Sequence, residues 1–188
     1  MRWLPFLFLS LLLIQPLAAA VPEPPDDQLR ELLREAIASS DSFADRFEAE
    51  VWLMDMSRRL EKVVKDDEHR LELLKAIHYE ATRADLPPEL VLAVIQVESY
   101  FDRWAISVAG AQGLMQIMPF WLKEIGRPDD NLFHVQTNLR MGCTILKYYL
   151  DMERGDLTRA LGRYNGSLGK FKYPNKVYKA LRTRWYRQ

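Results

Sequence analysis

An all-α fold is the expectation for this chain, and three features of its sequence carry it. Apolar residues recur at three- and four-residue spacing nearly throughout, once a Pro-rich stretch near residue 25 is passed. β-Branched residues nowhere alternate with polar ones over a useful length, so little strand is indicated. Capping and breaking residues, mostly Asp, Pro and Gly, fall between the periodic stretches. With 48% hydrophobic and 28% charged residues, the 188-residue chain has material for a core. That length suits one domain plus an additional segment.

The first 20 residues are of a different kind. Met1-Arg2 is a short positive start, Trp3 to Ile14 is apolar and uncharged, and Ala18-Ala19-Ala20 is a small-residue cleavage pattern ahead of Val21 and Pro22-Glu23-Pro24-Pro25. This reads as a secretory signal peptide. The alternative is an N-terminal membrane anchor, for which the apolar run is short against the roughly 20 residues that a span needs. No cysteine follows the small residues, so nothing supports lipid attachment. No other segment is apolar enough to cross a bilayer, and no stable membrane insertion is expected once the leader is cleaved.

The helices follow in order. Asp26 or Asp27 caps a first one carrying Leu29, Leu32, Leu33 and Ile37. After the break at Ser39-Ser40-Asp41-Ser42, a second runs from about Phe43 to Val64 with Phe43, Phe47, Val51, Met54 and Leu60 on one face. Asp66-Asp67 caps a third, Glu68 to Ala84, with Leu71, Leu74, Ile77 and His78 inward. Pro87-Pro88 ends it and opens the next, because proline in a first turn forgoes an N–H that has no helical partner anyway. Residues 105–118 fit neither helix nor strand and are punctuated by Gly110 and Gly113. A short helix from Pro119 to Ile125 stops at Gly126, and Gln136 to Glu153 is a strong helix with Leu139, Cys143, Leu146 and Leu150 inward. Leu157 to Tyr164 is a short helix, Asn165 to Pro174 a loop, and a basic helix closes the chain from about Asn175 to Tyr186.

Charge and side-chain chemistry narrow the function. Lys plus Arg equals Asp plus Glu, 26 of each, which gives no general case for nucleic-acid binding. From Thr158 to the end there are nine basic groups and no acid. That tail is either a solvated helix face or a surface for a polyanion. Cys143 is the only cysteine, so no internal disulfide exists, and none of His69, His78 and His134 has an evident link to it as an activating base. The histidines also lack metal-ligand spacing, so no metal and no cofactor are expected.

Glu98 stands out. It follows Leu90-Val91-Leu92-Ala93-Val94-Ile95-Gln96-Val97, and on a helix Val91, Val94 and Ile95 share its face. The acid therefore continues an apolar stripe. Either it bends out to water at the helix end, or desolvation raises its pKa, as general acids require. Between Asp102 and Glu124 there is no other acid. A two-carboxylate glycosidase would lack its second group here, unless Asp102 supplies it; otherwise the substrate itself must do so.

Glu98-Ser99, then Gly113-Leu114-Met115-Gln116-Ile117-Met118-Pro119, then Tyr164-Asn165, resemble in order and spacing the three signatures of the soluble lytic murein transglycosylases, relatives of goose-type lysozyme. The resemblance spans about residues 72 to 181. It implies a lysozyme-like α fold with an N-terminal helical extension: a signal peptide over 1–20, a linker and helical extension over 21–70, and a catalytic domain over 71–188. It implies cleavage of the β-1,4 bond between N-acetylmuramic acid and N-acetylglucosamine in peptidoglycan, in the periplasm, leaving 1,6-anhydromuramyl ends. Carried over by residue, Glu98 is the single acid/base. Ser99 holds the sugar or the acid, or only caps the helix. Gly113, Met115 and Gln116 form one wall, with glycine admitting the glycan and Met115 on a sugar face. Tyr164 and Asn165 form the other, with the Tyr164 hydroxyl near Glu98. Ser107 matches the family's small polar residue before Gly110.

The sequence also departs from the family. The usual Ala-Ala-Tyr-Asn-Ala-Gly reads Gly162-Arg163-Tyr164-Asn165-Gly166-Ser167, and Arg163 either meets a peptide carboxylate or lies in solvent. For the tyrosine often found in the family's last helix, Val177 and Tyr178 compete. Residues 26–70 fall outside the match and are expected to pack on the catalytic domain or to bind a partner in the envelope machinery. A goose-type hydrolase and a catalytically silent glycan-binding module remain the alternatives.

Overall fold

The computed structural model describes residues 42–186. The signal-peptide reading and the helix over Leu29 to Ile37 lie outside them. Seven α-helices follow one another among the described residues: α1 (Arg46–Leu60), α2 (Asp67–Arg83), α3 (Pro88–Glu98), α4 (Trp121–Ile125), α5 (Val135–Met152), α6 (Leu157–Tyr164) and α7 (Lys172–Ala180). A π-helical turn, Leu181–Trp185, extends α7. The only β-type pairing among these residues is two isolated bridges, Ile106 with Gln112 and Gln112 with Ile117.

The core is built around α3. Its residues Leu90 to Ile95 are all buried, so the helix has no solvent face, as expected of one that is apolar all round. Helix α2 packs on one side of it, and α7 with its π-helical turn on the other. Pro87 caps α3 in extended conformation and Pro88 takes its first position. Helices α5 and α6 complete the shell, against α2 and α7 respectively.

Helix α1 joins the same hydrophobic cluster, but through a different face from the one expected. Phe47 is 75% and Val51 46% exposed, whereas Ala49, Trp52, Leu53, Met56 and Leu60 are buried. Both stripes have helical period. The one containing Trp52, Leu53 and Met56 removes more apolar area from water, and its indole N–H reaches Glu89 Oε1 at 2.9 Å. Phe43 does turn inward, stacking on His78 at 3.5 Å between ring centroids.

Helix α7 also departs from expectation, beginning at Lys172 rather than near Asn175. Pro174 sits in its first turn, where no intrahelical N–H is needed, so it does not mark the end of the preceding loop. The shift brings Tyr173 into the helix.

The irregular segment 105–118 is pinned to α5 by one side chain. Asn138, 1% exposed, accepts from the Met115 N–H at 2.7 Å and donates to the Gln112 and Leu132 carbonyls at 2.9 and 2.8 Å. Gly113 has φ +75°, and a Cβ there would lie 2.3 Å from Asn138 Nδ2, so only glycine fits. Asn138→Ala would strand two buried backbone groups, the Met115 N–H and the Leu132 carbonyl, at about 1–3 kcal/mol each, while the Gln112 carbonyl keeps the Ile117 N–H. We expect it to lower unfolding stability by about 3 kcal/mol or more, read as a shift in denaturant midpoint at unchanged m-value.

Candidate active site

Glu98 is the last residue of α3, where the buried helix first meets solvent. Its side chain is half-buried, and burial raises its pKa to about 7, against smaller opposing effects from a Tyr173 hydrogen bond and the Lys176 charge. The Tyr173 hydroxyl donates to Glu98 Oε1 at 2.6 Å. Sequence reasoning missed this contact. It follows from the early start of α7, and a tyrosine four residues before Val177 and five before Tyr178 was one helical turn from the two positions considered.

The Tyr164 hydroxyl, expected near Glu98, donates to the Met115 carbonyl at 2.8 Å. It is close enough that the Glu98 charge acts on its phenol, whose pKa is pushed up first by burial. Tyr173 is raised in the same way, by burial and then by Glu98. Both phenols stay protonated and act as donors.

Ser99, the C-cap of α3, donates to the Leu114 carbonyl at 2.8 Å, with the Ile95 carbonyl at 3.3 Å as a second acceptor. It ties the end of the acid's helix to the 105–118 segment. Met115 does not offer a sugar face. Its side chain is 0% exposed and lies against Gly142, whose missing Cβ makes room for its sulfur. Gly113 likewise makes room for Asn138 rather than for a ligand. Both Gln116 donor bonds stay internal, from Nε2 to the carbonyls of Ala105 and Gly113 at 3.1 and 2.9 Å. Ser107 closes a turn by accepting from the Ala111 N–H at 3.0 Å. Arg163 is turned away by an ion pair with Glu153.

A cleft of about 300 Å³ is lined by Glu98, Tyr173, Asn165, Ser167, Lys170, Lys172 and Lys176. Of the sequence-predicted residues, Glu98 and Asn165 line it. Asp102 does not, and its carboxylate caps the turn by accepting from the Trp104 N–H at 2.9 Å. Glu98 is thus the only acid in the cleft. A larger cavity, about 460 Å³, lies elsewhere, around Trp52, His78 and Glu89. Among the described residues no group of side chains is arranged to hold a metal. Cys143 is buried, and burial keeps its thiol protonated.

Comparison with known proteins points one way. A family model described as the transglycosylase SLT domain matches residues 75–185. A transglycosylase of Enterobacteria phage PRD1 is 33% identical over 118 residues, covering 59% of this chain and 43% of the phage protein. The membrane-bound lytic murein transglycosylase C of Photorhabdus laumondii is 29% identical over 119 residues, covering 55% of this chain and 33% of the relative. The chain therefore spans less than half the length of these curated relatives. The solved structure of an inactive mutant of the lytic transglycosylase Slt from Pseudomonas aeruginosa superposes with a TM-score of 0.46 at 23% identity, over 80% of this chain and 26% of that one.

The burial of Glu98 has a consequence for stability. Its folded pKa of about 7 stands above the 4.5 of an ordinary glutamate. Stability is therefore undiminished below the unfolded pKa and falls as pH rises through the folded one. The penalty at pH 8 is on the order of 3 kcal/mol for a shift of this size. Glu98→Gln removes it, and should be more stable than the parent at pH 8 by an amount that vanishes near pH 4. Thermal or urea unfolding of both proteins across that range measures it; a pH-independent difference would contradict the assignment of Glu98 as a buried acid.

Proposed function

The chain belongs to the transglycosylase SLT domain family, and from that premise we propose that it cleaves the glycan strands of peptidoglycan as a lytic transglycosylase, with Glu98 as the single catalytic acid and base. The observation that carries this reading is a carboxylic acid with pKa near 7, held by Tyr173, alone among the acids of an open cleft.

The steps follow from one proton moving twice. Protonated Glu98 donates to the glycosidic oxygen as the bond from muramyl C1 to that oxygen breaks, and the bond's electrons leave with the oxygen. With no second carboxylate at the cleft, the muramyl N-acetyl oxygen stabilises the electron-poor C1. Glu98, now ionised, takes the proton from the muramyl C6 hydroxyl, whose oxygen closes on C1. The product is a 1,6-anhydromuramyl end, no water is consumed, and Glu98 regains its starting form. A pKa near the operating pH suits a group that must both give and take a proton.

Around this centre Ser99 and Tyr164 are positioning residues. They hold the Leu114 and Met115 carbonyls, and so the 105–118 segment, at a fixed distance from the acid. Asn165, exposed at the cleft with its Oδ1 accepting from the Ser167 hydroxyl at 3.2 Å, is placed to meet a sugar. An envelope location, the periplasm if residues 1–20 act as a leader, accords with this substrate and with the membrane-bound relative. The packed helix α1 and residues 71–188 form the catalytic unit in this reading.

Mass spectrometry of digested sacculi is the test. Muropeptides lighter by one water than the hydrolysed species mark anhydro ends; reducing muramic acid as the main product would replace the transglycosylase with a hydrolase of the goose-lysozyme kind. Glu98→Gln, folded, should lose about 10²–10⁴-fold in turnover, whereas Asp102→Asn should retain most of it. In the free enzyme kcat/KM should fall as pH rises through about 7, because the first step needs the protonated acid. Tyr173→Phe removes a hydrogen bond that lowers the Glu98 pKa. That variant should show a slower reaction with its alkaline limb moved to higher pH, a shift that a purely structural tyrosine would not produce.

A further inference from the structure

We propose that Lys170, Lys172 and Lys176 form a carboxylate-binding subsite beside Glu98, so that glycan carrying acidic peptide side chains is taken in preference to bare glycan. The proposal rests on the reading of the cleft as one that holds peptidoglycan.

The three lysines border the same cleft as Glu98, which offers one partly ionised acid against them. Arg159 and Arg163 of α6, which packs on α7, are engaged with Glu153. Among the described residues no carboxylate makes an ion pair with Lys170, Lys172 or Lys176.

Their placement also works against the fold. Lys172 opens α7 and Lys176 lies four residues on, so two like charges share one helix face. Lys172 sits at the positive end of the helix dipole, where a cation is disfavoured by a few tenths of a kcal/mol. A solvated face has no reason to collect cations there, whereas a concave wall of one sign raises the local concentration of a substrate of the other. A peptide side chain ending in carboxylates, attached to the same sugar whose bond lies at Glu98, is an anion of the right chemistry and within reach.

The test uses the full chain carrying Glu98→Gln, so that binding is measured without cleavage. Its affinity is compared for glycan strands bearing acidic peptides, for the same strands with those carboxylates amidated, and for strands stripped of peptide. Exposed ion pairs contribute about 0.2–1 kcal/mol each, so with three lysines acidic strands should bind about threefold to about a hundredfold tighter than the other two at low salt. The preference should shrink as salt rises, since such attractions are screened over about 8 Å at physiological ionic strength. Adding Lys170→Gln, Lys172→Gln and Lys176→Gln should abolish the preference, so that acidic and amidated strands bind alike. Equal binding of all three strands by the parent, a preference that survives the lysine substitutions, or one that survives amidation would overturn the subsite. Cleavage by the wild-type chain is scored separately: its absence on every strand would count against the proposed reaction and leave the binding comparison intact.

Discussion

Because Leu90 to Ile95 are apolar on every side, α3 has no face to give to water, and the other helices must enclose it. Burying a Val, Leu or Ile side chain contributes about 1.5–3 kcal/mol. Leu90, Val91, Leu92, Val94 and Ile95 together therefore supply on the order of 10 kcal/mol before the opposing chain entropy is counted. Against that, ionised Glu98 at the helix end detracts by only a few kcal/mol. The inequality explains how the fold tolerates a half-buried acid. The same enclosure desolvates Glu98, so the stability of the core and the raised pKa of the acid have one origin.

The polar side chains near Glu98 are mostly committed to backbone. Ser99, Gln116, Asn138 and Tyr164 satisfy carbonyls or N–H groups of a segment that has almost no regular structure of its own. Buried backbone groups without strand or helix partners need such side chains. Gln116 itself has φ +50°, a left-handed conformation unusual for a residue with a Cβ. The two donor bonds of its side chain reach the Gly113 carbonyl in the same turn and the Ala105 carbonyl eleven residues back. The residues of Gly113 to Gln116 thus support the site from behind, and none of them lines the cleft.

Helix existence was legible because period and capping residues are local properties: Asp66, Pro88, Gly126 and Asp156 mark boundaries close to those observed. The anomaly of Glu98 was legible for the same reason, since its neighbours at three, four and seven residues are fixed by helix geometry alone. Facing was less accessible. In α1 two apolar stripes compete, and only the packing partner, with Glu89 ready for the Trp52 indole, selects between them. Site roles were less accessible where a residue's type suits a ligand and also suits the fold. Methionine can lie on a sugar or on Gly142, and glycine can admit a glycan or Asn138. The contact between Tyr173 and Glu98 links residues 75 apart in sequence. It depended on how α7 tolerates Pro174, a tertiary outcome that no local pattern announces.

Helix α7 consequently has a role that its basic composition conceals. The groups that oppose desolvation at Glu98, the Tyr173 hydroxyl and the Lys176 charge, lie three residues apart on it. The orientation of α7 is set by α3 and by the π-helical turn, where Trp185 is buried and its indole N–H reaches Gln96 Oε1 at 2.7 Å. Gln96 is two residues before Glu98 on α3. The C-terminal turn, the helix that tunes the acid and the helix that carries it are therefore locked as one unit. A change that loosened Trp185 would therefore reach Glu98 through both the burial that raises its pKa and the Tyr173 and Lys176 groups that lower it.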